Sequence, residues 1–376
     1  MSTSARSGSG DDTRFFLSDA FVREASADAA LPADVTEALA REAQRIAADG
    51  TLLGVALSRR AALYETDPPP LAEVRDWPEL ASAAHPETDL LNALVALSGL
   101  PEMRAFYAAH GIPDDVYRET LTDPLRWMEH YRERSPHGAW GLSPRYLPWL
   151  RRHFKGEIFQ LGRLQLEPGR ANVGAVFYRH RQERRVVALA EADWEEAGGV
   201  AVGTVISPLG HALDEARRLP LEEWERALGP RDPVLNIHMP AGSPMDFDAC
   251  GESLARALAF FPRHLPERPF VAFVCSSWLL DPQLDGPMPA SSNIVRFQRQ
   301  VYLLPSTSSG RSTLERVFGR EEIDVATAPR DTTLRRAVLG LIEKGGGPGS
   351  GKCAIFPEEL RRGGWGGELY RKEWVA

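Results

Sequence analysis

Cysteine is scarce in this chain, lysine nearly as scarce, and no apolar run approaches the length that crosses a bilayer. The three cysteines, Cys250, Cys275 and Cys353, are too few and too scattered for a zinc site or a disulfide framework. Lysine occurs only at 155, 344, 352 and 372, so the 44 basic residues are almost all arginine and form no long basic run. With a net charge of −8, this excludes the electrostatic footprint of a nucleic-acid binder. No segment has the ~20 apolar residues of a membrane span, and no membrane partner is expected. The Ser/Gly-rich start, Met1–Asp12, lacks the apolar centre of a signal peptide. A reducing cytoplasm fits all of these absences. What is present, 43% apolar and 26% charged residues over 376 positions, is ordinary globular composition in a chain long enough for two domains.

Residues 1–12 read as a disordered tail. From Asp34 onward Val35, Leu39 and Ile46 form an apolar helical stripe. Further helices are predicted at 88–98, 101–110, 113–133 and 143–154, with Pro101, Pro113 and Pro144 at first-turn positions. Pro68-Pro69-Pro70 is a stiff connector. Residues 13–155 therefore read as a helical domain. At Lys155-Gly156 the pattern changes to short strands at 157–167, 173–180, 184–191 and 200–206, separated by turn residues such as Pro168-Gly169. This half, 156–350, predicts an antiparallel meander, a short helix at 221–228 and helices at 291–300 and 332–344. A Ser-rich loop spans 306–312. The glycine-rich stretch from Gly345 leads into a tail, 351–376, that is expected to pack little.

The densest information lies between Pro233 and Pro282. Val234–Met239 reads as a strand, Pro240–Pro244 as a turn, 244–264 as an amphipathic helix, and Pro269–Leu280 as a second strand. Two strands joined by a helical crossover lie parallel in one sheet. The turn delivers backbone N–H groups to the helix start, the place where a phosphate-bearing cofactor would sit. Ser243, Pro244 and Asp246 equally account for that start as a cap, a first-turn proline and a capping acid, and Asp246 and Asp248 repel a phosphate.

Particular words in this order carry a family resemblance: 161–167 (Leu-Gly-Arg-Leu-Gln-Leu-Glu), 235–242 (Leu-Asn-Ile-His-Met-Pro-Ala-Gly), Phe261-Pro262, 273–282 (Phe-Val-Cys-Ser-Ser-Trp-Leu-Leu-Asp-Pro), 292–298 and 332–337. Across roughly 30–350 the chain resembles bacterial proteins with a helical N-acyltransferase N-terminal domain and a GNAT-like C-terminal domain. The resemblance implies an α+β fold in which a helical domain precedes a mixed sheet flanked by helices. It also implies that an acyl-CoA, acetyl-CoA or a longer one, donates an acyl group to the amine of a small metabolite. The pantetheine arm would enter where the sheet splays, and the helical domain would cover the acceptor. Helix 291–300 would flank that channel, placing Asn293 and Arg296 near the cofactor. The resemblance brings no catalytic motif with it. The loop that such enzymes present to the pyrophosphate is replaced here by Pro-Ala-Gly-Ser-Pro.

The candidate residues follow. Met239, Ala241, Gly242 and Ser243 are the turn that would hold the cofactor, with amides at 241–243 as donors. On the strand before it, Val234, Asn236 and His238 share one face, and His238 is a candidate base for the acceptor amine; a hydrogen-bonded structural histidine is the alternative. Glu167, at a strand end before Pro168-Gly169, is either a base or an ordinary turn carboxylate. Ser277, or its neighbour Ser276, is a candidate acid for the leaving thiolate. Cys275 and Ser277 lack the Gly-x-Ser-x-Gly setting of a nucleophile, and direct transfer needs none. The aromatics Trp127, Tyr131, Trp140, Tyr146 and Trp149 are either packing or a ligand wall, and His130 and His137 fit no metal spacing. No metal is expected. Two alternatives stay open: a non-catalytic module that binds a ligand or partner, and a hydrolase or transferase on the same scaffold, the latter served by an acyl carrier protein. The acceptor and the oligomeric state are not legible.

Overall fold

The computed structural model describes residues 12–307 and 310–371. The chain divides into two compact units, one ending at Leu161 and the other beginning at Gly162. The first is helical, as its periodicity predicts: α1 (Asp19–Asp28), α2 (Ala33–Ala48), α3 (Gly50–Tyr64), α4 (Leu71–Arg75), α5 (Leu90–Leu97), α6 (Leu100–Ala109), α7 (Asp114–Thr120), α8 (Asp123–Arg134) and α9 (Leu147–Phe154). It closes on a short strand, β1 (Phe159–Leu161). Helix α5 is buried along its whole length, and the stripe of Val35, Leu39 and Ile46 on α2 is buried as expected. The single helix expected over 113–133 is two, because Leu121 and Thr122 interrupt it. Most of the tail expected at 1–12 lies outside the described residues, but Asp12 opens a 3-10 turn that runs to Leu17.

The second unit is built on two sheets. In one, β2 (Leu164–Arg170), β9 (Pro233–His238), β10 (Ala272–Ser277), β12 (Gly351–Ile355) and β11 (Tyr302–Pro305) lie side by side in that order. The predicted parallel pair is there: Ala272, Phe273 and Val274 of β10 face Val234, Leu235 and Asn236 of β9. The crossover between them is α10 (Phe247–His264). The second sheet holds β5 (Glu195–Ala197), β6 (Val200–Ser207), β4 (Val186–Ala190), β3 (Ala175–His180) and β8 (Trp224–Leu228), with β7 (His211–Pro220) paired to β6. The antiparallel strands are thus divided between two sheets.

A shared core explains why two sheets form. Val234, Ala272, Val274, Tyr302 and Ala354 of the first sheet pack with Phe177, Ala188 and Ile206 of the second. The Tyr302 hydroxyl crosses the gap, donating to the Ile206 carbonyl and accepting from the Ala188 N–H. The opposite face of the first sheet meets α10 through Phe273, Phe270 and Phe261, whose successive ring centroids are 5.1 and 6.0 Å apart. Helices α11 (Asn293–Gln300), α12 (Arg311–Phe318) and α13 (Thr333–Glu343) share a separate apolar cluster of Val295, Val317, Ala337 and Val338.

Two expectations need correcting, and one strand was not foreseen. The helix expected at 221–228 is a turn followed by β8, because Trp224 and Leu228 find cross-strand partners on β3 and pairing outweighs a weak helical pattern. Strand β7 escapes sequence reading because it is charged and exposed, alternating no apolar face. Most consequential is the tail at 351–376. Gly351–Ile355 forms β12, buried between β10 and β11, and helix α14 (Pro357–Gly363) follows it. The last five residues, with Ser308 and Ser309 of the Ser-rich loop, lie outside the described residues.

Cys275 and Cys353 stand directly opposite each other on β10 and β12, both free and buried. Burial pushes the Cys275 thiol up to about 12 and Cys250 to about 11. A thiol so held is inert. The native protein at pH 8 is expected to react with a disulfide reagent at least about 10²-fold more slowly than the unfolded chain, each pKa unit removing roughly tenfold of thiolate. Rapid native labelling of Cys275 would overturn this assignment.

Candidate functional site

Strands β2 and β9 place four polar side chains on one face. Their antiparallel register pairs Gln165 with His238 and Glu167 with Asn236. Side chains on a strand alternate, so all four share the face of Val234, at the rim of the inter-sheet core. Glu167 and His238 are diagonal neighbours within reach of each other: Nε2 of His238 lies 2.8 Å from Oε2 of Glu167. The carboxylate is 13% exposed and the imidazole 30%, which strengthens the bond relative to water. A carboxylate on Nε2 favours the tautomer protonated there. The sequence offered Glu167 and His238 separately; the register joins them. Asn236 packs over Gly169, where a β-carbon would lie 2.2 Å from its amide nitrogen, so a larger residue there would displace the Asn236 amide.

The parallel ladder between β9 and β10 ends at Asn236 and Val274, although the strands continue to His238 and Ser277. The sheet is open at this point, as the expected splay requires. Ser276 and His238 are the next residues of this face on either side of the opening. Ser277 projects to the opposite face, where its hydroxyl accepts from the Leu279 N–H and caps a 3-10 turn. The pleat therefore separates Ser277 from His238 and puts Ser276 on the face of His238.

Beyond β9, Met239–Asp246 forms the loop into α10. Gly242 has φ 94°, with open space where a side chain would begin, and Ala241–Ser243 are exposed. The helix starts later than the proline spacing suggests: Asp246 is its cap, accepting from the Ala249 N–H at 2.8 Å, and Ser243 lies three residues outside. The sequence reading missed Arg163, whose guanidinium donates to the carbonyls of Pro244 and Ser243 at 2.9 and 3.0 Å. Its own N–H donates to Ser253 of α10. Arg296 of α11 reaches the same helix start, 3.8 Å over the Phe247 ring and 3.7 Å from the Asp248 carboxylate. Asn293 opens α11 next to its cap, Ser292, and Trp365 stacks on Phe247 and donates to its carbonyl at 2.8 Å.

In the helical unit, three of the five aromatics serve two buried carboxylates. The indoles of Trp127 and Trp149 donate to Asp123 at 3.0 and 2.8 Å, with His153 3.5 Å away. Tyr131 donates instead to Asp89. Among the described residues no group of His, Cys, Asp and Glu could hold a metal ion, and no helix is long and apolar enough to cross a membrane.

Residues 158–355 match the GNAT-like C-terminal domain family and residues 20–156 the N-acyltransferase N-terminal domain family. Similar solved structures include an acyltransferase mutant in complex with octanoyl-CoA, 24% identical at a TM-score of 0.62, covering 89% of this chain and 87% of that one. Another is an acyltransferase in complex with decanoyl-CoA and teicoplanin, 24% identical at a TM-score of 0.61 with the same coverage. At that identity they establish likeness of fold. No curated protein matches the chain.

Proposed function

The chain belongs to the GNAT-like acyltransferases, and we propose that it moves an acyl group from a CoA thioester directly to an amine of a small molecule. The observation that carries this reading is the Glu167–His238 pair beside the opening between β9 and β10. An amine attacks a thioester only when neutral, and the tetrahedral adduct must shed a proton. The imidazole of His238 takes it, and Glu167 holds the ring and stabilises the charge it gains. No covalent acyl-enzyme is needed, and the buried Cys275 is unsuited to form one.

The donor fits the loop on three counts. Gly242 leaves room for a close approach of phosphate to backbone, the exposed stretch 241–243 offers amide donors, and Arg296 stands at the helix start. Asp248 neutralises Arg296 in the free protein, so a phosphate would displace one carboxylate contact. The similar structures carry octanoyl- and decanoyl-CoA, which favours testing medium-chain donors, and teicoplanin in one of them favours a glycopeptide among the first acceptors.

Calorimetric titration of octanoyl-CoA and free CoA tests the reading. Gly242→Asp introduces a charge where the phosphate would lie and is expected to weaken binding at least tenfold. His238→Ala is expected to leave binding within about threefold. No binding of any CoA species by the native protein would remove the acyl-CoA reading and favour a carrier-protein donor or a binding role.

A further inference from the structure

The opening between β9 and β10 has a second lip, and its residues are unlike the rest of their surroundings. Ser276 is exposed at the end of β10, directly opposite Lys352 of β12 in the antiparallel register. Both share the face of Val274, Ala354 and His238, since residues in register point the same way. Toward β11 that face is otherwise lined by Val274, Ala354, Tyr302 and Leu304, the last being the partner of Lys352. Directly opposed side chains have β-carbons about 4.5–5.5 Å apart, so the lysine stem passes beside the serine hydroxyl. The ammonium donates to the Asn172 carbonyl at 3.0 Å and has further N–H donors to give. Lysine is rare here, and a compact ammonium, unlike the arginine used almost everywhere else in the chain, acts as a point charge.

We propose that Ser276 and Lys352 form the leaving-group side of the site, receiving the CoA sulfur as the thioester breaks. This rests on the acyl-CoA reading above and adds the half of the reaction that the Glu167–His238 pair does not serve. The amine nitrogen forms its bond to the acyl carbon and its proton passes to His238. The C–S bond then breaks with its electron pair remaining on sulfur. The thiolate accepts a hydrogen bond from the Ser276 hydroxyl and sits beside the Lys352 charge, and it later takes a proton from water. An alkyl thiolate is a weaker base than an alkyl amine, so charge and a hydrogen bond suffice and the lysine keeps its proton.

The proposal predicts an affinity specific to the thiolate. Calorimetry at pH 8.5 would compare CoA with desulfo-CoA, which differs only in lacking sulfur. The native protein is expected to bind CoA at least tenfold more tightly than desulfo-CoA, with release of a proton that shrinks as the pH is raised past the thiol. Lys352→Met should reduce that ratio to about one while leaving desulfo-CoA affinity unchanged, and Lys352→Arg should restore most of it. Ser276→Ala should reduce it about threefold. A general loss of structure would change both ligands alike. Equal affinities in the native protein, or a ratio that survives Lys352→Met, would overturn the proposal. Failure of the native protein to bind either ligand would remove the acyl-CoA reading itself and this inference with it.

Discussion

His238→Ala is expected to lower the rate of acyl transfer from octanoyl-CoA to an amine acceptor by about 10²–10⁴-fold, the usual contribution of a positioned general base. Glu167→Gln keeps the shape of the pair but removes the charge that stabilises imidazolium, and about 10–10²-fold is expected. The two losses should not add, since both act on one proton transfer. A structural histidine would give another pattern: falling stability, equal effects on all acceptors and no change in the pH profile. Hydroxylamine separates the cases, because it is largely unprotonated at neutral pH and needs little help from a base. Its acylation, read as hydroxamate, should be much less sensitive to His238→Ala than acylation of an alkyl amine. A His238→Ala enzyme within threefold of native on an alkyl amine would exclude the histidine as base.

Ending the chain at Ser350 is expected to abolish the folded C-terminal unit. The residues removed include β12, which pairs with β10 on one side and β11 on the other, so the truncation strips hydrogen-bonding partners from two buried strands. Exposed edges of that kind invite aggregation. Beyond the strand, Glu359 of α14 accepts from Arg179 of β3 through both oxygens at 3.0 Å, and both groups are almost fully buried. Burial pushes the Glu359 carboxyl above its ordinary range, against the pull of Arg179. Tyr370 is buried with its hydroxyl accepting from the Phe356 N–H. With a typical net stability of about 5–15 kcal/mol for a whole domain, these losses together exceed what the unit can bear. A milder probe is Arg179→Met, which leaves Glu359 buried without its partner at a cost of about 3–5 kcal/mol. Chemical denaturation followed by circular dichroism reads both. A cooperative transition of unchanged midpoint in the truncated chain would show that the segment is dispensable.

Much of this was legible in the residues. Helical periodicity located α2, α5, α6 and α9 and the stretch that divides into α7 and α8, because a stripe of apolar side chains at 3.6-residue spacing has few other uses; it did not mark α1, α3 or α4. The crossover at 233–282 was legible because two apolar runs bracketing an amphipathic one admit a parallel pair. The failures share a cause as well. Gly351–Ile355 is short, follows a glycine-rich stretch and contains Lys352, so nothing local marks it as a strand. It is one because β10 and β11 present edges on both sides. The segment 221–228 erred in the opposite direction, its strand deriving from Trp224 and Leu228 against β3.

At the candidate site, residue types were available from sequence and their grouping was not. Alternation alone put Asn236 and His238 on one face of β9. It could not bring Glu167 to that histidine, because the distance between them depends on the register between strands 71 positions apart. Nor could it tell which of Ser276 and Ser277 shares the face of His238; the parallel register puts Ser276 there. Arg163 fell within a recognised word, yet its bonds to Ser243 and Pro244 span about eighty residues. Composition and local periodicity thus determined class, charge and most elements, for these depend on neighbours a few residues away. Pairing, register and burial decided which polar groups converge, since contacts between distant segments come into being only when the whole chain has folded.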